Sequence, residues 1–300
     1  MWLLALLFAS IVVLLVLFLK YVDSDLTLFY YDWKDEAPGL LRRKVIWVTG
    51  ASSGIGEHLA YELARYGARL VLSGTNKERL DNVKNKCLET GRLTEDDVLV
   101  LPFNMTDLDA HEDCLNQVIK KFHKLDVLVN NAGRSQRAAF EDIAIAVDKE
   151  MFEVNVFAPL HLTRKVLGHF LENGGGHFAV TSSCVGKMGA ASSASYTASK
   201  HALHGYFETL RTEMCRKNID VTVLCPGPVF SRFLENAFTG TAGQKFGQPT
   251  LPTDRRMPTD RCGRLMAVAL AHKLDEAWIC IQPCLIFYYL AQYTPTFFRK

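Results

Sequence analysis

Tyr196 and Lys200 stand four residues apart in "SASYTASKHAL", among serines and alanines. On a helix that spacing puts both side chains on one face. The small neighbours Ser195, Ala198 and Ser199 would let another group approach the backbone. A phenol ordinarily holds its proton to a pH of about 10, and a nearby ammonium favours the phenolate. The pair is a candidate proton-transfer group. Alone it is a weak signal, since "YYDWK" offers a second one at Tyr30 and Lys34. The rest of the chain has to separate the two.

From residue 44 onward, short apolar runs alternate with longer segments of helical spacing. The runs are "KVIWVT" (44–49), "RLVLS" (69–73), "VLVLPF" (98–103), "VLVN" (127–130), "HFAVTS" (177–182), "VTVLC" (221–225) and "AWICI" (277–281). Near-continuous β-branched runs separated by helices predict an α/β fold: a doubly wound, Rossmann-type sheet of about seven parallel strands, with helices on both faces. One helix is expected over "MFEVNVFAPLHLTRKVLGHFL" (151–171). Residues 44–300 are read as a single domain and 21–43 as a linker. The alternation lapses over 230–258, a stretch with Phe233, Phe238 and Phe246 among glycines, prolines and threonines. Long irregular connections are usually lids or mobile segments.

The first strand leads into "VTGASSGIGEHLAYELA". Gly50 would permit a tight turn, Gly54 a close approach of a diphosphate, and Gly56 the packing of helix on strand. The helix N-terminus would then face negative charge. At the exit of the first strand of an alternating α/β chain, this spacing points to dinucleotide binding.

"TGASSGIG", then "NNAG" at Asn130 to Gly133, then Tyr196-xxx-Lys200, in that order, resemble the short-chain dehydrogenase/reductase family, over about residues 44–285. The resemblance implies hydride exchange between a nicotinamide and a carbonyl or alcohol. Tyr196 would move the proton, and Lys200 would lower its pKa and hold the ribose. It nominates Ser183, thirteen residues before Tyr196, to hydrogen-bond the substrate oxygen, and Asn155 to hold a water in the proton relay. Tyr30 has Leu17 at the serine's place and no glycine loop before it. Cofactor contacts are expected from Gly50, Ser52, Ser53, Gly54, Ile55, Gly56, Thr75, Asn104, Met105, Asn131, Ala132, Gly133, Tyr196, Lys200, Pro226, Gly227, Val229 and Ser231. Gly74 stands where an acid would repel a 2′-phosphate, so NADP(H) is favoured over NAD(H), with Lys77 or Arg79 as candidate phosphate partners. A lipophilic substrate such as a steroid or retinoid, and a homodimer, are expected from the same resemblance.

Trp2 to Leu19 carries no charge, and as a helix it would reach about 27 Å, close to the thickness of a bilayer core. "KYVDSDL" follows without a small-residue cleavage site, so a retained single-pass anchor is expected rather than a cleaved signal. A membrane location, in the endoplasmic reticulum, is the corresponding expectation. The sequon Asn104-Met105-Thr106 would be hard to glycosylate beside a cofactor, which weakly favours a cytosolic body or an unused sequon. The apolar tail "CLIFYYLAQYTPTFF" reads equally as a core helix, a dimer surface or an interfacial segment.

A net charge of +2 gives no general reason for nucleic-acid binding. Eight scattered cysteines without a CxxC pair argue against zinc or a disulfide framework. His201, His204 and Glu208 share a helical face, for which packing or a dimer surface is favoured over metal ligation.

Overall fold

Strand β1 (Val45–Thr49) is buried along its whole length, as a run of apolar residues at the middle of a two-sided sheet must be. The computed structural model describes residues 2–298, with the side chains at 3, 14, 15 and 17–19 outside the description. Six further strands join β1: β2 (Arg69–Gly74), β3 (Val98–Pro102), β4 (Val127–Asn130), β5 (Gly176–Thr181), β6 (Ile219–Pro226) and β7 (Glu276–Ile279). All pair in parallel, in the order β3-β2-β1-β4-β5-β6-β7. Val48 pairs with Leu72 on one side and Val129 on the other. The chain reverses its direction of winding at β1, so the connections leaving β1 and β4 diverge and open a crevice at the strands' carboxyl ends.

The helices are α1 (Trp2–Tyr21), α2 (Leu26–Lys34), α3 (Ala37–Leu41), α4 (Gly54–Arg65), α5 (Lys77–Gly91), α6 (Ala110–Phe122), α7 (Ile145–Phe152), α8 (Ala158–Glu172), α9 (Ala194–Met214), α10 (Thr259–Ala271), α11 (Cys284–Tyr293) and α12 (Pro295–Phe298). One apolar core lies under α4, α5 and α10, and a second under α6, α8 and α9, so both sheet faces are covered.

Two expectations change. The helix expected over 151–171 is broken by a π-helical turn at Glu153–Phe157. Pro159 has no N–H to give the Asn155 carbonyl, and its ring crowds that oxygen. The turn widens, and Ala158 N–H bonds back to Glu153 O. The stretch 21–43, expected as a linker, carries α2 and α3 and is fixed to the body. Arg261 pairs with Asp23 and Asp32, both at 2.7 Å, and Arg264 with Asp32 at 2.9 Å. Among the described residues no helix is long and apolar enough to cross a membrane.

Candidate active site

Thr49, the last residue of β1, organises the crevice floor. Its hydroxyl donates to Val129 O at 3.2 Å and accepts from the N–H groups of Asn131 and Ala132 at 3.0 and 3.1 Å. Asn131 Nδ2 donates to Thr49 O at 3.0 Å, and Thr181 donates to Asn131 Oδ1 at 3.2 Å. Asn131, expected to contact a cofactor, spends its amide on joining β1, β4 and β5. Gly133 lies behind it, where an added Cβ would stand 3.0 Å from Asn155 Oδ1 and 3.6 Å from Lys200 Nζ.

The loop above this floor needs its glycines. Gly54 has φ +62°, and a Cβ there would meet only Ser231 Cβ, at 3.3 Å. At Gly56 a Cβ would fall 2.5 Å from Gly50 O, so helix α4 starts directly against the turn made by Gly50. Ser53 is the N-cap of α4 yet makes no side-chain capping bond. The first-turn N–H groups are thereby left for an outside acceptor, and the cradle suits a diphosphate. Ile55 packs against the core beneath.

At the end of β2, an added Cβ on Gly74 would stand 3.2 Å from Ser52 Oγ. Thr75, Lys77 and Arg79 are exposed beyond it. Lys77 is paired with Asp81 at 2.9 Å, whereas Arg79 makes no ion pair among the described residues. Asn104 is exposed, its Oδ1 accepting from Thr106 N–H at 3.3 Å. The side chain of Met105 is buried in the core under α6, and its carbonyl bonds the His111 ring at 3.0 Å.

The four nominated catalytic residues converge above the ends of β4 and β5. The π-turn aims Asn155 at the loop after β4. Oδ1 accepts from Arg134 N–H at 2.8 Å, and Nδ2 donates to Arg134 O and Ser199 Oγ at 2.9 and 3.0 Å. Ser183 Oγ donates to Pro226 O at 3.2 Å and accepts from Val185 N–H at 3.4 Å. Lys200 is buried, with Nζ donating to Thr181 O at 2.8 Å and lying 5.6 Å from the Tyr196 ring centre.

Burial is the largest influence on the charge state of both members of the pair. Burial raises the Tyr196 phenol above its ordinary value, opposed by a hydrogen bond with Ser183 and by the positive charge of Arg137. Burial also pushes the Lys200 ammonium down to about 8. Besides the Lys200 ammonium 5.6 Å from the ring centre, the phenol meets the positive charge of Arg137, which sequence reasoning missed. Its backbone N–H donates to Phe238 O at 2.8 Å, and its guanidinium donates to Gln136 O at 2.9 Å and to Ser193 Oγ, the N-cap of α9. It makes no ion pair among the described residues. The only sequence signal was a charged residue just past "NNAG".

Residues after β6 close the site. Gly227 N–H donates to Ile279 O at 2.8 Å, Val229 bridges to Met257, and Ser231 reaches the Gly54 turn. Phe233 lies edge-on to Tyr196, while Phe238 packs with Val147, Met151 and Tyr196. His201 is exposed and points away, its ring bonded to Thr197 O at 2.9 Å. His204 instead groups with Glu208 and Glu276. The Lys187 ammonium already stands among these acids, 2.7 Å from Glu276 and 3.7 Å from Glu208, so packing and charge neutralisation account for the group.

A family profile described as short chain dehydrogenase matches residues 44–241. The chain belongs to the short-chain dehydrogenase/reductase family. Dehydrogenase/reductase SDR family member 7 of Homo sapiens is 42% identical over 300 residues, covering 99% of this chain and 88% of that protein. Dehydrogenase/reductase SDR family protein 7-like of Drosophila melanogaster is 31% identical, covering 89% and 80%. Among solved structures, an alcohol dehydrogenase of Thermococcus sibiricus complexed with 5-hydroxy-NADP superposes with a TM-score of 0.69 at 24% identity, covering 80% of this chain and 97% of that one. A Shigella flexneri short chain dehydrogenase complexed with NADP gives 0.66 at 26%, covering 77% and 92%. As a short-chain dehydrogenase/reductase, the protein is an oxidoreductase.

Proposed function

We propose that the protein is a membrane-anchored, NADP(H)-dependent oxidoreductase interconverting a lipophilic carbonyl and its alcohol, with steroids or retinoids as the substrate class. The observation that carries the reading is the convergence of Asn155, Ser183, Tyr196 and Lys200 beside the open Gly54 turn. A nicotinamide dinucleotide fits the chain's own features. The uncapped first turn of α4 and the Gly54 cradle would hold its diphosphate. Gly74 offers no carboxylate to repel a 2′-phosphate, and Arg79 is free to meet one. When bound, the nicotinamide supplies or takes up the hydride.

The remaining chemistry belongs to the protein. Burial keeps Tyr196 protonated, so in the reductive direction its hydroxyl gives a proton to the substrate oxygen as charge develops there. Ser183 Oγ donates to the same oxygen, exchanging its bond with Pro226 O for one that strengthens along the reaction. In oxidation the phenolate takes the proton back, helped by the positive charge of Arg137. Lys200 leaves or shares Thr181 O to meet a ribose hydroxyl. Asn155 holds the loop after β4 in place and would hold a water in the proton relay.

The uncharged run from Trp2 to Leu19, part of whose side chains lie outside the description, supports retention as a single-pass anchor, with the endoplasmic reticulum as the proposed membrane. A groove of about 530 Å³ between α8 and α9, lined by Leu160, Leu167, Tyr206, Leu210 and Met214, supports a homodimer. The test is oxidation of NADPH, against NADH, by the full chain in lipid with a panel of lipophilic carbonyls. Tyr196→Phe should lower kcat/KM by about a thousandfold, within the range of general acid–base contributions. No turnover of either cofactor across the panel, or an unimpaired Tyr196→Phe enzyme, would overturn the reading.

A further inference from the structure

Helix α2 carries its apolar stripe outward. On its inner side Leu28 is fully buried, Tyr31 stacks on His272 at 4.1 Å, and Asp32 pairs with Arg261 and Arg264. On its outer side stand Leu26, Phe29, Tyr30 and Trp33, at the i, i+3, i+4 and i+7 spacing of a single face. Leu26 is 60% exposed and Trp33 75%. A surface helix in water puts polar residues there, and a contiguous apolar face of this kind marks an interaction site.

The stripe continues onto the C-terminal helices. The backbone of Leu26 hydrogen-bonds Tyr289, whose ring stacks 6.3 Å from that of Tyr293. Tyr293 and Phe297 are each 76% exposed. The ammonium groups of Lys20 and Lys34 lie over the rings of Tyr21 and Tyr30, at 5.4 and 5.1 Å, one at each end of the α2 stripe. Aromatic rings flanked by lysines are the composition of a membrane–water boundary.

The face is also held in fixed relation to α1. Four residues, 22–25, separate α1 from α2, and they are built into the body. Val22 and Ser24 are buried, Ser24 bridges to Ile279 at the edge of the sheet, and Asp25 N–H donates to Trp278 O at 3.0 Å. Asp25 also accepts from the N–H groups of Thr27, Leu28 and Trp278, at 2.9, 3.0 and 2.8 Å. No flexible tether intervenes.

We propose that the face formed by the outer stripe of α2 and by Tyr293 and Phe297 lies on the surface of the bilayer that α1 enters. The protein is then oriented on its membrane rather than suspended from it. The occupant is lipid because the face is continuous with α1. This inference rests on the anchor reading of α1.

The test uses the full chain in vesicles whose lipids are brominated close to the headgroup, with tryptophan fluorescence as readout. Trp2 and Trp33 are both exposed, so Trp2→Phe and Trp33→Phe leave the core intact, while buried Trp47 and half-buried Trp278 contribute the same signal to both variants. Trp33→Phe should remove the larger part of the lipid-dependent quenching that Trp2→Phe leaves. Quenching that Trp2→Phe abolishes and Trp33→Phe leaves unchanged would overturn the docked face, whether that face is then bare or covered by a second copy, with the anchor retained. Absence of quenching at both positions would overturn the anchor reading and this inference with it.

Discussion

Phe233 meets Tyr196 edge-on, ring centres 5.8 Å apart, and so lays the irregular stretch after β6 over the proposed proton donor. Phe233→Ala should raise KM for an apolar substrate about tenfold, an aromatic contact being worth roughly 1.4 kcal/mol, with kcat changed far less. Steady-state kinetics separate the two. A fall in kcat with KM unchanged would instead place Phe233 in the chemistry.

Arg137 should govern the pH dependence of alcohol oxidation. The phenolate is the base in that direction, and the guanidinium favours the phenolate. Removing the charge raises the phenol further, so Arg137→Met should move the rising alkaline limb to higher pH and slow oxidation several-fold at fixed neutral pH. Arg137→Lys should restore part of the shift. Ser193→Ala removes a hydrogen bond but no charge, and should leave the limb in place.

Gly74→Asp should weaken the proposed preference for NADP(H). A carboxylate at the end of β2 would repel a 2′-phosphate and accept from a 2′-hydroxyl. The ratio of kcat/KM for NADPH over NADH should fall at least about tenfold, roughly 1.4 kcal/mol. Arg79→Ala should lower the NADPH value alone.

Acid should weaken the fold through His177. The imidazole is buried, bonded to Thr222 Oγ1 at 2.8 Å, and burial pushes its pKa from 6.5 down to about 4. Between those values the unfolded chain takes up a proton that the folded chain refuses, so stability falls as pH falls. A difference of 2.5 units corresponds to about 3 kcal/mol at most. Denaturant unfolding at a series of pH values measures the slope, and His177→Gln should lose that share of it.

All seven strands could be read from the sequence, because strands buried on both faces are written as unbroken apolar runs. The Gly50, Gly54 and Gly56 turn was legible for a related reason: the positive φ at Gly50 and Gly54 favours glycine, and a Cβ at Gly56 would fall 2.5 Å from Gly50 O. The break around Asn155 was encoded four residues later, in Pro159, and was hidden by the helical pattern on either side. What could not be read were contacts between distant positions. Nothing local to Asp23 or Asp32 announces Arg261, and nothing near Lys200 announces the Thr181 carbonyl that holds its ammonium. Arg137 and Asn131 sit in or beside a motif, yet their partners Ser193, Thr49 and Thr181 were unforeseeable without the fold.

The crevice floor is sewn together by Thr49, Asn131 and Thr181, whereas its roof hangs on one irregular stretch outside the strand ladder. Reaction geometry and substrate choice are thereby written in separate parts of the chain. Mutation can redraw the ceiling while the machinery beneath stays in register.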